Sequence, residues 1–444
     1  MKVYIETLGC PKNFNDTEVA RAFLIENGIE IGDSPEESDF IIVNTCGFIN
    51  DAKRESIDRI FDMLSYKEDG KKIIVSGCLS QRYSKELSEE IPEADAFIGV
   101  NNYPELPELL KKLSSENNIP PVVLGSTEYP SQLPYDNRDI ENGAYSATLK
   151  IAEGCNNRCA YCVIPSIRGG FRSKKKEDVL KEAEFLAAKG IKELILIAQD
   201  VTNYGIDLYG KYALPELLRD LVKIDGIRWI RLMYCYEDRI SDELIEVMAT
   251  EPKICHYIDI PIQHASDKVL KEMRRRSTGK SLRNTISRLR KAIPDIAIRT
   301  TLIVGFPGET EEDFDDLMDF VLDMRFQRLG VFAYSQEEGT PAGDREDQVP
   351  EEIKQERLDQ VMRSQLEISY EHNQELIGKT LEVLIEGMDP DGSYIGRSVY
   401  DAPEIDNSVL FTSFKKHQPG DMVNVMINDA FDYDLVGYEL EEKI

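Results

Sequence analysis

The stretch CNNRCAYC at residues 155–162 holds Cys155, Cys159 and Cys162, with three and then two residues between them. Thiolates at such spacing are metal ligands by type. A structural zinc takes four protein ligands, and so does a fully protein-held iron–sulfur cluster. Three cysteines therefore either recruit a fourth ligand from elsewhere or leave one metal position open. Zinc ribbons show paired CxxC halves, and no second pair follows here; Cys235 and Cys255 stand alone. The run follows a strand-like LKIAEG and sits in a loop with Gly154 and two asparagines. Backbone amides of such a loop can turn toward sulfur. The spacing points to a 4Fe–4S cluster with an open iron, ahead of zinc and of a chance group of core cysteines.

A second set is dispersed. Cys10, Cys46 and Cys78 each end a strand-like run, in YIETLGC, IIVNTCG and IIVSGC. The carboxyl ends of parallel strands share one edge, where ligands bind. Three strands delivering one cysteine each to that edge make a second cluster site, again with three protein ligands. The bland alternative is three buried structural cysteines, since free cysteine is often buried. A glycine beside each one, or one residue away, favours the site. Cys235 and Cys255 are expected to be structural.

The elements that must position these residues follow from periodicity. Residues 1–125 alternate strand-like and helix-like runs, which predicts a parallel α/β sheet. Residues 126–143 are polar and broken by prolines, and read as a linker. Residues 144–377 carry about six βα units, too few for a closed eight-fold barrel but enough for a partial one. Residues 378–444 show short strands between Gly, Asp and Pro turns, as in a small antiparallel β-barrel. The expected fold is thus a multi-domain α/β chain in three parts.

The 444 residues carry 82 acidic and 53 basic side chains, for a net charge of −29. That balance argues against a protein that coats nucleic acid by neutralising phosphates. No run of eighteen apolar residues exists, so no membrane span is expected. The opening MKVYIETLGC enters a strand with no signal-peptide core, which predicts a cytoplasmic location. Cysteines in that reducing compartment are core residues, thiols or metal ligands rather than disulfides. The segment 378–444 is acidic in its own right, with five basic against fourteen acidic residues. Such a surface suits a basic protein partner better than RNA. Two basic runs remain: SKKKED at 173–178, read as a solvated helix end, and RRRSTGK at 274–280, read as either a solvated end or an RNA contact. The turn IVGFPGET at 303–310 is rich in glycine but lacks the Lys-Ser/Thr pair of a nucleotide-hydrolysing loop.

CxxxCxxC with an aromatic residue before its last cysteine, here Tyr161, resembles the radical S-adenosylmethionine (SAM) enzymes. The resemblance implies that SAM itself fills the open iron position. It also implies that one electron from the cluster cleaves SAM to a radical that abstracts hydrogen from an unactivated carbon. Tyr161 would lie near the adenine, or be a packed loop tyrosine. The glycine-rich SAM-amine motif of many such enzymes is absent. AQDVTNYG stands in its place, with Gln199 the candidate SAM contact and Asp200 and Thr202 beside it. A cysteine-bearing N-terminal part, a radical SAM centre and a C-terminal barrel similar to a TRAM domain together resemble the methylthiotransferases over nearly the whole chain. That family implies two 4Fe–4S clusters, with Cys155, Cys159 and Cys162 holding the SAM cluster and Cys10, Cys46 and Cys78 the auxiliary one used in sulfur insertion. An electron donor is also implied. One branch of the family modifies tRNA adenosines; another modifies the β-carbon of an aspartate in ribosomal protein uS12. ETLGCPKN, CVIPSIRG, LIAQDVTNYGIDLY and PIQHASDKVLKEMRR resemble the second, with His264-Ala265 where the tRNA branch carries Ser-Gly. The ribosomal protein is therefore the expected partner, and tRNA is not. The alternatives are a tRNA methylthiotransferase and a non-catalytic iron–sulfur or zinc protein.

Overall fold

The computed structural model describes residues 1–115, 122–124 and 138–440. Residues 126–137 of the expected linker, and Lys443, lie outside them. The chain forms two compact units. One comprises residues 1–141, 153–172 and 335–343, and the other residues 142–152, 173–334 and 344–444.

The first unit is built on a parallel sheet of six strands. From one edge to the other they are Glu30–Ile31, Lys2–Thr7, Phe40–Thr45, Lys72–Gly77, Ala96–Ile98 and Val122–Leu124. Phe40–Thr45 and Lys72–Gly77 are apolar on both faces, as strands covered by helices on each side must be. Phe40, Ile42 and Ile74 pack with Ala20, Leu24 and Leu109, carried by helices Pro11–Glu26 and Leu106–Ser115. Ile41, Val43, Ile73 and Val75 pack on the opposite face with Ile60, Met63, Leu79 and Leu87, from helices Asn50–Leu64 and Cys78–Glu90. Period-two alternation along the strands produces this division.

The second unit contains another six-stranded parallel sheet. Its strands Ser146–Lys150, Glu193–Ile197, Trp229–Leu232, Ile254–Asp259, Ala297–Val304 and Arg328–Ala333 are neighbours in chain order. Sequential βα units laid side by side without closing form a partial barrel, as the periodicity predicts. The helix Glu351–Gln374 leads to a closed five-stranded barrel, Thr380–Met388 to Leu435–Glu439. Its pairings are antiparallel except that Val409–Thr412 runs parallel to Leu435–Glu439.

Buried ion pairs moor this barrel to the sheet. Glu193 is fully buried, 2.8 Å from Arg231 Nε and 2.6 Å from Arg397 Nη2. Burial alone would raise its pKa, but the two guanidiniums hold it down at about 2. Arg328 reaches Asp401 at 2.6 Å, and Arg299 reaches Asp406 at 3.4 Å. Part of the acidity in 378–444 is therefore internal rather than a docking surface. Among the described residues, no helix is long and apolar enough to cross a membrane.

Candidate functional site

Strands Lys2–Thr7, Phe40–Thr45 and Lys72–Gly77 are adjacent and parallel. Thr7 lies beside Asn44, and Thr45 beside Gly77, so their carboxyl ends coincide. Cys10, Cys46 and Cys78 leave from this shared edge. The neighbouring glycines have a steric cause. Gly9 has φ +88°, and a Cβ on it would sit 2.8 Å from Cys46 Cβ and 3.1 Å from its sulfur. Gly77 has φ +92°, and its Cβ would meet Thr45 O at 2.5 Å. Only glycine lets the chain segments approach this closely. Cys10 stands at the N-terminal boundary of helix Pro11–Glu26, and Cys78 opens helix Cys78–Glu90. Helix N-termini favour thiolate.

Cys46 and Cys78 are buried. Burial pushes the Cys46 thiol up to about 12, and raises Cys78 despite a nearby guanidinium. Without a metal, these two sulfurs keep their protons at neutral pH. Ligation would release those protons. Asn13 joins the loops: its amide donates to Leu8 O and Thr45 O at 3.0 Å each, while its Oδ1 faces Cys78 Sγ at 3.6 Å.

The CNNRCAYC loop belongs to the same unit. Gly154 (φ +74°) starts it, where a Cβ would meet Gly170 O at 2.2 Å. Cys155 N donates to Gly169 O at 3.0 Å and closes the loop. Backbone N–H groups do point at sulfur: Asn157 N lies 3.4 Å from Cys155 Sγ, and Ile164 N lies 3.5 Å from Cys162 Sγ. Arg158, at φ +52°, holds a left-handed conformation that non-glycine residues rarely adopt. Cys155 and Cys159 are buried; Cys162 and Tyr161 are partly exposed. Among the described residues, no three His, Cys, Asp or Glu side chains gather as a site for a metal ion. A cuboidal cluster spreads its ligands more widely than a single ion does. The thiol-only donor sets and sulfur-directed amides suit such a cluster.

Two features of this unit carry no signal in the local sequence pattern. Arg168, at the end of CVIPSIRG, is 2 % exposed and donates to Cys78 Sγ at 3.4 Å. Glu337 is 2 % exposed and receives Lys53 Nζ at 2.9 Å and Arg82 Nη1 at 2.8 Å. Arg82 also donates to Gly47 O at 3.1 Å, bracing the residue after Cys46. Their partners lie far away in the chain, so spacing does not reveal them.

In the second unit, Gln199 lies half-buried two residues past the end of strand Glu193–Ile197. Asp200 caps the following turn and pairs with Arg239, and Thr202 donates to it at 2.7 Å. Tyr234 and Gln263 have φ +57° and +73°, just beyond the carboxyl ends of two further strands. Strained residues at such ends accompany binding sites. His264 is fully buried; its Nδ1 accepts from Ser266 N at 3.0 Å, and Nε2 lies 3.5 Å from Glu309. Its place is structural. In SKKKED, read as a solvated end, Lys174 is buried against Glu182, whereas Lys175 and Glu177 are exposed. In RRRSTGK, Arg275 is buried and donates to Pro261 O at 2.8 Å, whereas Arg274 and Arg276 are exposed.

Cys235 and Cys255 are buried, and burial raises both thiols, Cys255 to about 11. Serine at either position is expected to keep the full iron content of the wild type. Iron analysis after anaerobic reconstitution checks this, and iron loss in either variant would make that cysteine a ligand.

Comparison with known proteins adds to the geometry. Residues 149–321 match the radical SAM superfamily, residues 2–99 the uncharacterized protein family UPF0004, and residues 377–438 the TRAM domain. Among solved structures, the radical S-adenosylmethionine methyltransferase TsrM from Kitasatospora setae is similar in fold, with TM-score 0.54 and 15 % identity over 77 % of each chain. The Ribosomal protein uS12 methylthiotransferase RimO of Clostridioides difficile (strain 630) is 50 % identical over 446 residues, covering 100 % of this chain and 99 % of its own. That of Desulfitobacterium hafniense (strain Y51) is 50 % identical over 441 residues, 98 % of each chain. Identity at this level over essentially the full length, on a chain whose strand ends present the two cysteine sets, leads to one conclusion: the protein belongs to the RimO family of ribosomal protein uS12 methylthiotransferases.

Proposed function

We propose that this chain inserts a methylthio group at the β-carbon of an aspartate in ribosomal protein uS12, using SAM and two 4Fe–4S clusters. The observation that carries the reading is a cysteine just past each of three coinciding strand ends, in the compact unit that also holds the CxxxCxxC loop. In this reading Cys155, Cys159 and Cys162 hold the SAM cluster, and Cys10, Cys46 and Cys78 the auxiliary cluster. When bound, these groups would supply the electron, the radical and the methyl group, and the auxiliary cluster would take part in sulfur insertion. The chain supplies the rest. Glycine turns fix the sulfurs, amides at Asn157 and Ile164 favour thiolate over thiol, and burial keeps water away. Tyr161 and Gln199 are the proposed SAM contacts, and a cytoplasmic reductant is the proposed electron source.

For docking we assign the exposed side of the C-terminal barrel. Asp429 and Asp432 are exposed there beside Phe431 and Tyr433, an acidic and aromatic surface suited to a basic protein. Replacing both aspartates by lysine is expected to weaken binding to isolated uS12 by about tenfold, with a smaller effect at high salt, consistent with screened surface charge. Binding measured at two ionic strengths checks this; unchanged affinity at both would remove the surface from the reading.

The decisive experiment is mass spectrometry of uS12 and of tRNA nucleosides from cells with and without the gene. The expected result is one uS12 aspartate that loses the mass of a sulfur and a CH2 group when the gene is absent. Loss of a methylthioadenosine with uS12 unchanged would move the enzyme to RNA. No change in either would leave a non-catalytic cluster protein.

A further inference from the structure

Arg168 is the last residue of the short helix Ile164–Arg168, which follows directly on the CxxxCxxC loop. Its guanidinium extends beyond that helix. It reaches the other set, with Nη2 3.4 Å from Cys78 Sγ and 2.9 Å from Asn13 Oδ1. Nη1 lies 2.9 Å from Asp16 and 3.2 Å from Glu153. Val163 and Ile167 of the same segment pack against Cys78 and Val100. A purely structural ion pair needs only the two carboxylates. Here Nη2 bonds a candidate ligand sulfur and Asn13, whose own amide holds the backbone at the other two cysteine loops.

We propose that Arg168 is a positioning residue that sets the reduction potential of the auxiliary cluster through Cys78, an inference that rests on the assignment of that cluster to Cys10, Cys46 and Cys78. Cluster potentials follow net charge, hydrogen bonds to sulfur and solvent exposure. Arg168 acts on all three, as a fixed cation, an N–H donor to sulfur and a buried plug. Reduction adds one electron to the cluster, with no bond made or broken. A cation fixed nearby stabilises the added charge, and stabilises it more strongly where water is excluded. The four-way hold on the guanidinium keeps it from swinging away. Lysine keeps the charge but lacks the planar fork needed to bond Asp16, Glu153, Asn13 and the sulfur together.

The test uses the full-length chain carrying Cys155→Ala, Cys159→Ala and Cys162→Ala, so that any reconstituted cluster is the auxiliary one. Its midpoint potential is measured by mediated redox titration followed by electron paramagnetic resonance, with Arg168 intact and as R168Q and R168K. The expected result is a shift to more negative potential in R168Q and a smaller shift with an altered spectrum in R168K, both at unchanged iron content. If R168Q does not hold iron, R168K decides the matter. Wild-type potential and spectrum in R168K, or in an iron-replete R168Q, would overturn the proposal. A triple-alanine chain that binds no iron with Arg168 intact would instead overturn the assignment of the auxiliary cluster itself.

Discussion

Alanine at Cys10, Cys46 or Cys78 is expected to abolish methylthio transfer while leaving reductive SAM cleavage in place, and to halve the iron bound after reconstitution. The sequence places these cysteines 36 and 32 residues apart, but the sheet sets them on neighbouring strands. In this reading the auxiliary cluster has three protein ligands and no spare one to replace a lost thiolate; Cys235 and Cys255 belong to the other unit. Changes to residues around metal ligands already cost about 10- to 100-fold, so loss of a ligand should exceed that range. SAM cleavage depends in this reading on Cys155, Cys159 and Cys162 alone, and it serves as the internal control. The measurements are iron per chain, 5′-deoxyadenosine formed under reduction, and modified uS12. Methylthio transfer persisting near the wild-type rate in any of the three variants would end the auxiliary-cluster assignment. Parallel loss of SAM cleavage would show that one site had been treated as two.

Glu193→Gln is the second change with a large expected effect, and it concerns stability. Glu193 balances Arg231 and Arg397, and all three are buried. Arg231 also donates to Val399 O at 2.8 Å, so the cluster ties a sheet strand to the barrel segment. Removing one partner from a buried ion pair leaves an uncompensated charge and costs about 3–5 kcal/mol. The expectation is a loss of that size in denaturant unfolding, with early proteolysis of residues 378–440. A loss under about 1 kcal/mol, the level of an ordinary exposed pair, would contradict the argument. The pH dependence follows from the depressed pKa. The native carboxyl titrates at about 2, below its ordinary 4.5. Its contribution is therefore complete above the unfolded value and is lost as pH falls from about 5 toward 2. The variant's unfolding should lack this acid-sensitive component, which an acid series of melts on both proteins would show.

The sequence by itself determined much of this protein. The βα periodicity specified two parallel sheets, because strands buried on both faces must be apolar throughout. The triplet Cys155, Cys159 and Cys162 stands out in the sequence because its members are local, and local spacing survives any fold. Cys10, Cys46 and Cys78 were legible for a different reason. Each ends a strand, and parallel strands put their ends on one edge whatever their order in the sheet. Only the tertiary structure decided the remainder. It alone set residues 153–172 and 335–343 in the N-terminal unit, since which side chains pack together is fixed by contacts between distant segments. It brought Arg168 to Cys78, and set Glu337 against Lys53 and Arg82. It buried Lys174 and Asp401 and covered the carboxylate of Asp406, all expected at the surface from the sequence. A charged side chain has no periodic signature of its own. Its place depends on a partner that only folding brings near.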